Sequence, residues 1–102
     1  MKNRIELDNE LRDFIGSSNV YFQPPESIKL KYPCIIYHLR DINAEYADDY
    51  NYKNMKSYEL TIICRDPDND YVEDILKTFK YIRFDRHFVA DGLNHYAFVL
   101  FY

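Results

Sequence analysis

Residues 81–102 read YIRFDRHFVADGLNHYAFVLFY, and this stretch decides the fold class. Its flanking runs, YIRFDRHFVA and YAFVLFY, are rich in the aromatic and β-branched residues that favour strands. The DGLNH segment between them contains Asp91 followed by Gly92, a pair that is typical of tight hairpin turns. Glycine accepts a positive φ there without a steric penalty. The stretch is therefore predicted to form an antiparallel β-hairpin.

Three more strands are predicted upstream of this hairpin. The runs NVYF, YPCIIYHL and KSYELTIICR have the same strand-forming composition. Pro24 and Pro25 end the first of these strands, because consecutive prolines cannot donate to a sheet ladder. Residues 43–56, between the second and third runs, are rich in tyrosine and have no periodicity. A connection of this length in so small a domain is either functional or disordered, and we predict a long, flexible loop.

Two helices are predicted from helical spacing and end signals. The first spans residues 2–15, where apolar residues recur at helical intervals and Gly16 follows as a stop. The second lies in DPDNDYVEDILKTF, with Asp66 as its N-cap and Pro67 as its first helical residue. Its apolar stripe consists of Val72, Ile75, Leu76 and Phe79.

These elements define the expected architecture. A chain of 102 residues has the size of one domain, so we predict a single domain over residues 1–102. The order α-β-β-loop-β-α-β-β predicts an α+β fold, with a mainly antiparallel β-sheet and two helices packed on one face. In YAFVLFY and YPCIIY both alternating sets of side chains are apolar, so neither face is patterned for water. Because two short helices cover one face only, the second face is predicted to contact another chain.

The composition limits the kinds of partner. A net charge of −4 argues against duplex DNA as the main partner, because binding to phosphates needs clustered Lys and Arg. No apolar run is long enough to span a membrane, and the first residues are amphipathic, so we expect a soluble protein made in the cytosol. Cys34 and Cys64 lack a metal-binding spacing and are expected to be free thiols in strands. The aromatic share of 18% indicates large, half-buried surfaces in sheets or at interfaces.

The hairpin also concentrates residue types that carry chemistry. His87, Asp91 and His95 could form a metal set, and Asp85 with His87 could form an acid–base pair. Positions four apart align on a helix, however, whereas the periodicity here is that of strands with Asp91 in the turn. We therefore interpret the cluster as structural, with Asp91 and Asn94 forming turn hydrogen bonds.

Other catalytic arrangements have little support in the sequence. Cys34 and His38 have the types of a nucleophile and a base, but four positions apart on one strand they would be separated by ~13 Å. Gly16 and Gly92 are the only glycines, too few for a phosphate-binding loop. No catalytic residue, no metal ligand and no cofactor are therefore predicted.

Charge is segregated along the sequence. The region of the long loop is acidic, whereas the end of the second helix and the following strand are basic. One interpretation is a solvated surface with lysines complementing the helix C-terminus. The other is heterologous assembly, in which the acidic loop of one subunit reaches the basic edge of its neighbour and closes a ring. The predicted interface residues are Tyr46, Asp48, Asp49, Tyr50, Tyr52, Lys77, Lys80, Arg83 and Arg86.

Three runs, taken in order and at these separations, resemble a known family. The runs VYFQPPESIKLKYPCIIY, YELTIICRDPD and RFDRHFVADGLNHYAFVLFY are similar to the tail terminator (tail completion) proteins of siphophages and prophages. The resemblance covers the chain from about Val20 to Tyr102, and the first predicted helix fits the N-terminal helix of that family. The motifs QPP, DPD and DGLNH correspond to a strand end, a helix start and a hairpin turn.

The resemblance implies a structural role without catalysis. Proteins of this family are α+β subunits that assemble as a ring, commonly a hexamer, on the end of the completed tail tube. The ring ends tube polymerisation and offers a surface for joining the head. The implied partners are copies of the chain itself, the major tail tube protein and a head-neck connector protein, with DNA only passing through the lumen. The implied location is the tail or neck of the virion, after synthesis in the cytoplasm of a bacterial host.

Three alternative functions stay open at this point. Another neck component, such as a head-completion or connector-adaptor ring, has a similar size and also assembles around an axis. A small metal-binding enzyme would use His38, His87 and His95. A host-directed regulator is disfavoured by the resemblance alone.

Overall fold

The computed structural model describes residues 3–41 and 55–102. The predicted loop 43–56 lies outside the described residues except for Met55 and Lys56. The elements, in chain order, are α1 (Arg4–Ile15), β1 (Val20–Phe22), β2 (Cys34–Asp41), β3 (Ser57–Cys64), α2 (Tyr71–Thr78), β4 (Ile82–Ala90) and β5 (Leu93–Phe101). This order matches the predicted one.

The strands form one five-stranded sheet in the order β1-β2-β3-β5-β4. β2, β3, β5 and β4 pair antiparallel with their neighbours, whereas β1 pairs parallel with β2. The parallel pair is possible because the segment between Phe22 and Cys34, which includes both consecutive prolines, returns the chain to the same end of the sheet. The predicted α+β class with a mainly antiparallel sheet is therefore confirmed.

The core lies between the two helices and one face of the sheet. Strand register places Tyr37, Leu60 and Phe98 on this face, in a row that crosses three neighbouring strands. Leu7 and Leu11 of α1 and Ile75 of α2 are fully buried in the same apolar cluster. Both helices therefore pack on one face of the sheet, as predicted.

Helix α1 has the signals that start and end a helix. The side chain of Asn3 accepts a hydrogen bond from the backbone N–H of Glu6 at 2.9 Å, which satisfies one of the first free donors. Gly16 ends the helix in the left-handed region, with φ at 77°, and its N–H donates to the carbonyl of Arg12 at 2.9 Å. The helix begins at Arg4, two residues later than predicted.

Tyr37 of β2 and Tyr102, which follows β5, tether α1 through its acidic residues. The hydroxyl of Tyr37 donates to Asp8 at 2.8 Å, and Arg12 also holds Asp8 at 2.7 Å from the next turn. The hydroxyl of Tyr102 donates to Glu10. Because carboxylates accept stronger hydrogen bonds than neutral groups, these contacts fix the position of α1 on the sheet beyond its two buried leucines.

The predicted start of the second helix is wrong. Helix α2 begins at Tyr71 after Asp70, and Asp66 instead opens a turn by accepting a hydrogen bond from the N–H of Asp68 at 2.8 Å. The amide of Asn69 donates to the carbonyl of Asp66 at 2.7 Å and holds this turn closed. Side chains of this type compete with the helix for backbone groups, and here the turn takes the four residues that were assigned to the first helical turn.

The hairpin of β4 and β5 turns at Asp91 and Gly92, as predicted. Both residues have a positive φ, 54° and 73°, which is the requirement of a two-residue type I′ turn. The turn is shorter than the predicted DGLNH, because β5 already begins at Leu93. Asn94 is therefore a strand residue and not a turn residue, and its amide donates to the carbonyl of Arg65 at 3.3 Å.

Replacing Gly92 by alanine is expected to lower the free energy of unfolding by about 1 kcal/mol, because an L-residue with a Cβ is strained in this region. A Cβ at Gly92 would meet no atom within 4 Å, so backbone conformation is the sole cause of the loss. Urea denaturation of Gly92→Ala and Gly92→Asn checks this. Asparagine tolerates positive φ and should retain most of the stability, whereas equal losses in the two variants would exclude the backbone explanation.

Candidate interaction surface

The side of the sheet opposite to α1 and α2 is here called the helix-free face. Within residues 3–41 and 55–102, no helix packs on it. Register defines rows of side chains across this face, of which His38, Glu59, Val99 and Arg83 form one and Ile36, Thr61, Ala97 and Arg86 form the next.

The helix-free face combines apolar and charged side chains. Val99 and Ile63 are buried among their neighbours on it, as is expected of the central strands. His38 Nε2 lies 2.9 Å from a carboxylate oxygen of Glu59, and both side chains are half exposed. The helix-free face therefore presents charged side chains to its surroundings around a few buried aliphatic groups.

The four predicted basic residues are not one patch. Arg83 lies opposite Val99 and Arg86 lies opposite Ala97, so both arginines belong to the helix-free face at the β4 edge. Lys77 is exposed on α2, on the other side of the sheet. Lys80 is exposed in the connection between α2 and β4, with its ammonium 5.3 Å from the ring centre of Tyr81. The structure therefore brings Arg83 and Arg86 together and separates Lys77 from them.

The five other predicted interface residues belong to the long loop. Tyr46, Asp48, Asp49, Tyr50 and Tyr52 all lie outside the described residues. Their assignment stays a prediction from the sequence.

The three histidines lie in different surroundings. His87 donates from Nε2 to the side-chain oxygen of Asn94 at 3.0 Å, and its ring stacks on Tyr96 toward the helix side. His95 donates from Nδ1 to the carbonyl of Leu93 at 3.1 Å and lies on the opposite face. His38 pairs with Glu59 across β2 and β3. In the part of the chain that the structure describes, no three His, Cys, Asp or Glu side chains are placed to hold a metal ion.

Both cysteines are buried and free. Burial, and secondarily the neighbouring Cys64, raises the pKa of Cys34 to about 11. Burial, and secondarily Asp66, raises the pKa of Cys64 above its usual value. Because the thiolate is the nucleophile, both thiols are held in their unreactive form at neutral pH. The expectation of free thiols in strands is confirmed.

An open cleft of about 240 Å³ lies at the end of the sheet where Cys64 is located. The amide of Asn69 donates to the sulfur of Cys64 at 3.4 Å and to the hydroxyl of Tyr96 at 3.2 Å, so its polar groups are already used by the fold. Arg65 lies over the ring of Tyr32 at 5.8 Å on the rim. The amide of Asn69 therefore serves the turn before α2 rather than a ligand.

The edge strand β4 is the feature that the sequence analysis missed. The sequence predicted an ordinary alternating strand, yet seven of its nine residues are exposed in the structure. A β-bulge between Phe84 and Arg86 makes Asp85 an extra residue relative to β5. The exposure of β4, but not its bulge, had a signal in the sequence, because charged residues in RFDRHF interrupt what would otherwise be an apolar strand.

Comparisons with known proteins add no assignment. The sequence matches no protein-family model, and a search of curated proteins gave no significant match. Among the described residues, no helix has the length and apolar character that crossing a membrane requires.

Proposed function

We propose that this chain is a non-enzymatic subunit of a phage virion, which assembles as a ring on the end of the tail tube, ends tube polymerisation and provides the surface for joining the head. The observation that carries the proposal is the resemblance of three sequence runs between Val20 and Tyr102 to siphophage tail terminator proteins. A ring subunit needs surfaces for two neighbours as well as contacts above and below the ring. The helix-free face is a candidate for such a surface.

Charge supports a contact between neighbouring subunits. Arg83 is exposed at the β4 edge and, within the described residues, forms no salt bridge. Lys80, three residues earlier in the chain, is also exposed. The acidic residues Asp48 and Asp49 of a neighbouring subunit would complement these cations. Such exposed ion pairs are screened by salt, so the contact should weaken as ionic strength rises.

Electron microscopy tests the proposed ring directly. Negative staining of the purified chain mixed with isolated tail tubes should reveal rings with a central hole at one end of each tube. Antibody labelling of phage particles should mark isolated tails. Label on DNA-filled heads instead would assign the chain to another neck component, and absence of label from both would overturn a virion role.

Charge reversal tests the proposed contact between subunits. The double variant Lys80→Glu/Arg83→Glu is expected to weaken ring assembly at least about tenfold, because like charges then face the acidic loop. The variant Lys29→Glu/Lys31→Glu is the matched control, since both lysines are exposed and lie before β2. Assembly is measured by light scattering at two salt concentrations. Equal assembly of the two variants would remove Lys80 and Arg83 from the interface.

A further inference from the structure

The outer edge of β4 is the long free edge of the sheet. The sheet has two edge strands, β1 with three residues and β4 with nine. Within the described residues no strand pairs with the outer side of β4. Unpaired N–H and C=O groups on an edge of this length can accept a further strand.

The edge strand also exposes apolar side chains. Phe84, Phe88 and Val89 are 40%, 39% and 63% exposed. Charged residues and a bulge often protect an edge from pairing, and β4 has Arg83, Asp85 and the bulge at Asp85. The charges of two β4 strands are nevertheless complementary when the strands pair antiparallel in one particular register.

The bulge changes which residues share a face. In a regular strand, Phe84 and His87 are three positions apart and would point to opposite faces. Here Phe84 lies opposite Phe98 and His87 lies opposite Tyr96, two positions apart on β5, so Phe84 and His87 share the helix side. Arg83 and Phe88 share the helix-free face for the same reason, because their partners are Val99 and His95.

This face pattern permits one symmetric register. If two copies of β4 pair antiparallel about a two-fold axis, Phe84 of one copy can lie opposite His87 of the second copy. This pairing is possible because both side chains point to the helix side of the sheet. Arg83 then lies opposite Phe88 of the second copy, and both side chains belong to the helix-free face. At the axis, Asp85 lies opposite Arg86 of the second copy, and the same pair occurs twice by symmetry.

We infer that two copies of this chain form a dimer through antiparallel pairing of their β4 edges, in the register that places Asp85 opposite Arg86 of the second copy. The dimer joins two five-stranded sheets into one continuous sheet. Pairing of β4 with β4 of a second copy fits better than pairing of β4 with β1 of a second copy. Strand β1 has only three residues and is followed by Pro24 and Pro25. Charge supports the same occupant, because Asp85 and Arg86 form no salt bridge within the described chain. The inference rests on the fold and does not depend on the proposed function.

Sedimentation velocity of the purified chain, without any tail component, tests the dimer. The wild-type chain is expected to change from monomer to dimer between about 1 and 200 µM, the range of a modest interface. Asp85→Arg and Arg86→Asp should each weaken dimerisation at least about tenfold, because like charges then meet twice at the axis. The double variant Asp85→Arg/Arg86→Asp restores opposite charges and should return within about threefold of wild type.

Controls separate this charge pairing from effects on folding. Asp13→Arg makes the same change in charge at an exposed position of α1 and should dimerise like wild type. A monomeric wild type over the whole range, or a double variant as weak as the single variants, would overturn the inference. Isotope-filtered contacts between Phe84 of one copy and His87 of the other report the register, and a dimer without them would overturn it too.

Discussion

Replacing Phe98 by alanine is expected to lower the free energy of unfolding by about 3–5 kcal/mol, as for other large core aromatics. Phe98 is 1% exposed and lies in the row that joins Leu60 of β3 to Phe84 of β4. Its ring meets that of Phe84 edge-on, with 5.5 Å between the ring centres. Alanine would remove this contact and leave a cavity in the buried core. Urea denaturation followed by circular dichroism measures the loss.

Phe88→Ala is the matched control for this prediction. Phe88 belongs to the same hairpin and stacks on His95, but it is 39% exposed. Its truncation is therefore expected to cost no more than about 1 kcal/mol when the protein is dilute enough to be monomeric. A loss for Phe88→Ala as large as that for Phe98→Ala would mean that the helix-free face carries a second core of equal weight.

The elements with strong periodicity could be predicted from sequence alone. The hairpin followed from two runs of strand-forming residues around Asp91 and Gly92, because positive φ at both positions leaves few other structures. Helix α1 followed from its apolar spacing and from Gly16, which ends it. These signals are local, so a single sequence is sufficient to detect them.

The start of α2 could not be predicted because three candidates compete for it. Asp66, Asp68 and Asp70 all have the side chain that commonly caps a helix. Asn69 decides the outcome, since its amide closes a turn on Asp66 and its side-chain oxygen accepts from the N–H of Tyr71 at 3.0 Å. Contacts that depend on the position of Asn69 in three dimensions are not visible in residue propensities.

The prediction of the interface residues was also limited because it depends on where residues lie in three dimensions. Lys77, Lys80, Arg83 and Arg86 are close in sequence, but an exposed helix face and a strand with two faces distribute them over different sides of the sheet. The bulge at Asp85 then decides which residues of β4 share a face. A bulge is an irregularity in pairing between two strands, so nothing in the local pattern of one strand reveals it.

Replacing Tyr37 by phenylalanine is expected to lower the free energy of unfolding by about 1–3 kcal/mol at neutral pH, although the ring remains. The Tyr37 hydroxyl donates to Asp8 at 2.8 Å, and Arg4 approaches the same oxygen at 3.4 Å. Without that donor, one oxygen of a carboxylate that is only 17% exposed loses its partner, while Arg12 keeps the other. Helix α1 would then be held by its buried leucines and by the hydrogen bond between Tyr102 and Glu10.

The same hydroxyl makes stability depend on pH in the alkaline range. Burial raises the pKa of Tyr37 to about 12, Arg4 opposes this shift, and the hydrogen bond to Asp8 adds to it. The pKa of a tyrosine in the unfolded chain is about 10. Because the folded pKa is the higher one, the contribution of Tyr37 is complete below about pH 10 and is lost as pH rises through about 12.

Denaturant titrations at pH 8, 10 and 11.5 measure this dependence, and Tyr37→Phe should have a shallower alkaline decline than wild type. The decline should not vanish, because burial and the hydrogen bond to Glu10 also raise the pKa of Tyr102. Tyr21→Phe is the matched control, since Tyr21 is half-buried on β1 and its hydroxyl makes no hydrogen bond among the described residues. If Tyr21→Phe and Tyr37→Phe changed the alkaline slope equally, the tether between Tyr37 and Asp8 would not be the cause. A slope that changes only in Tyr37→Phe would show that the Tyr37 hydroxyl contributes to the attachment of α1 to the sheet.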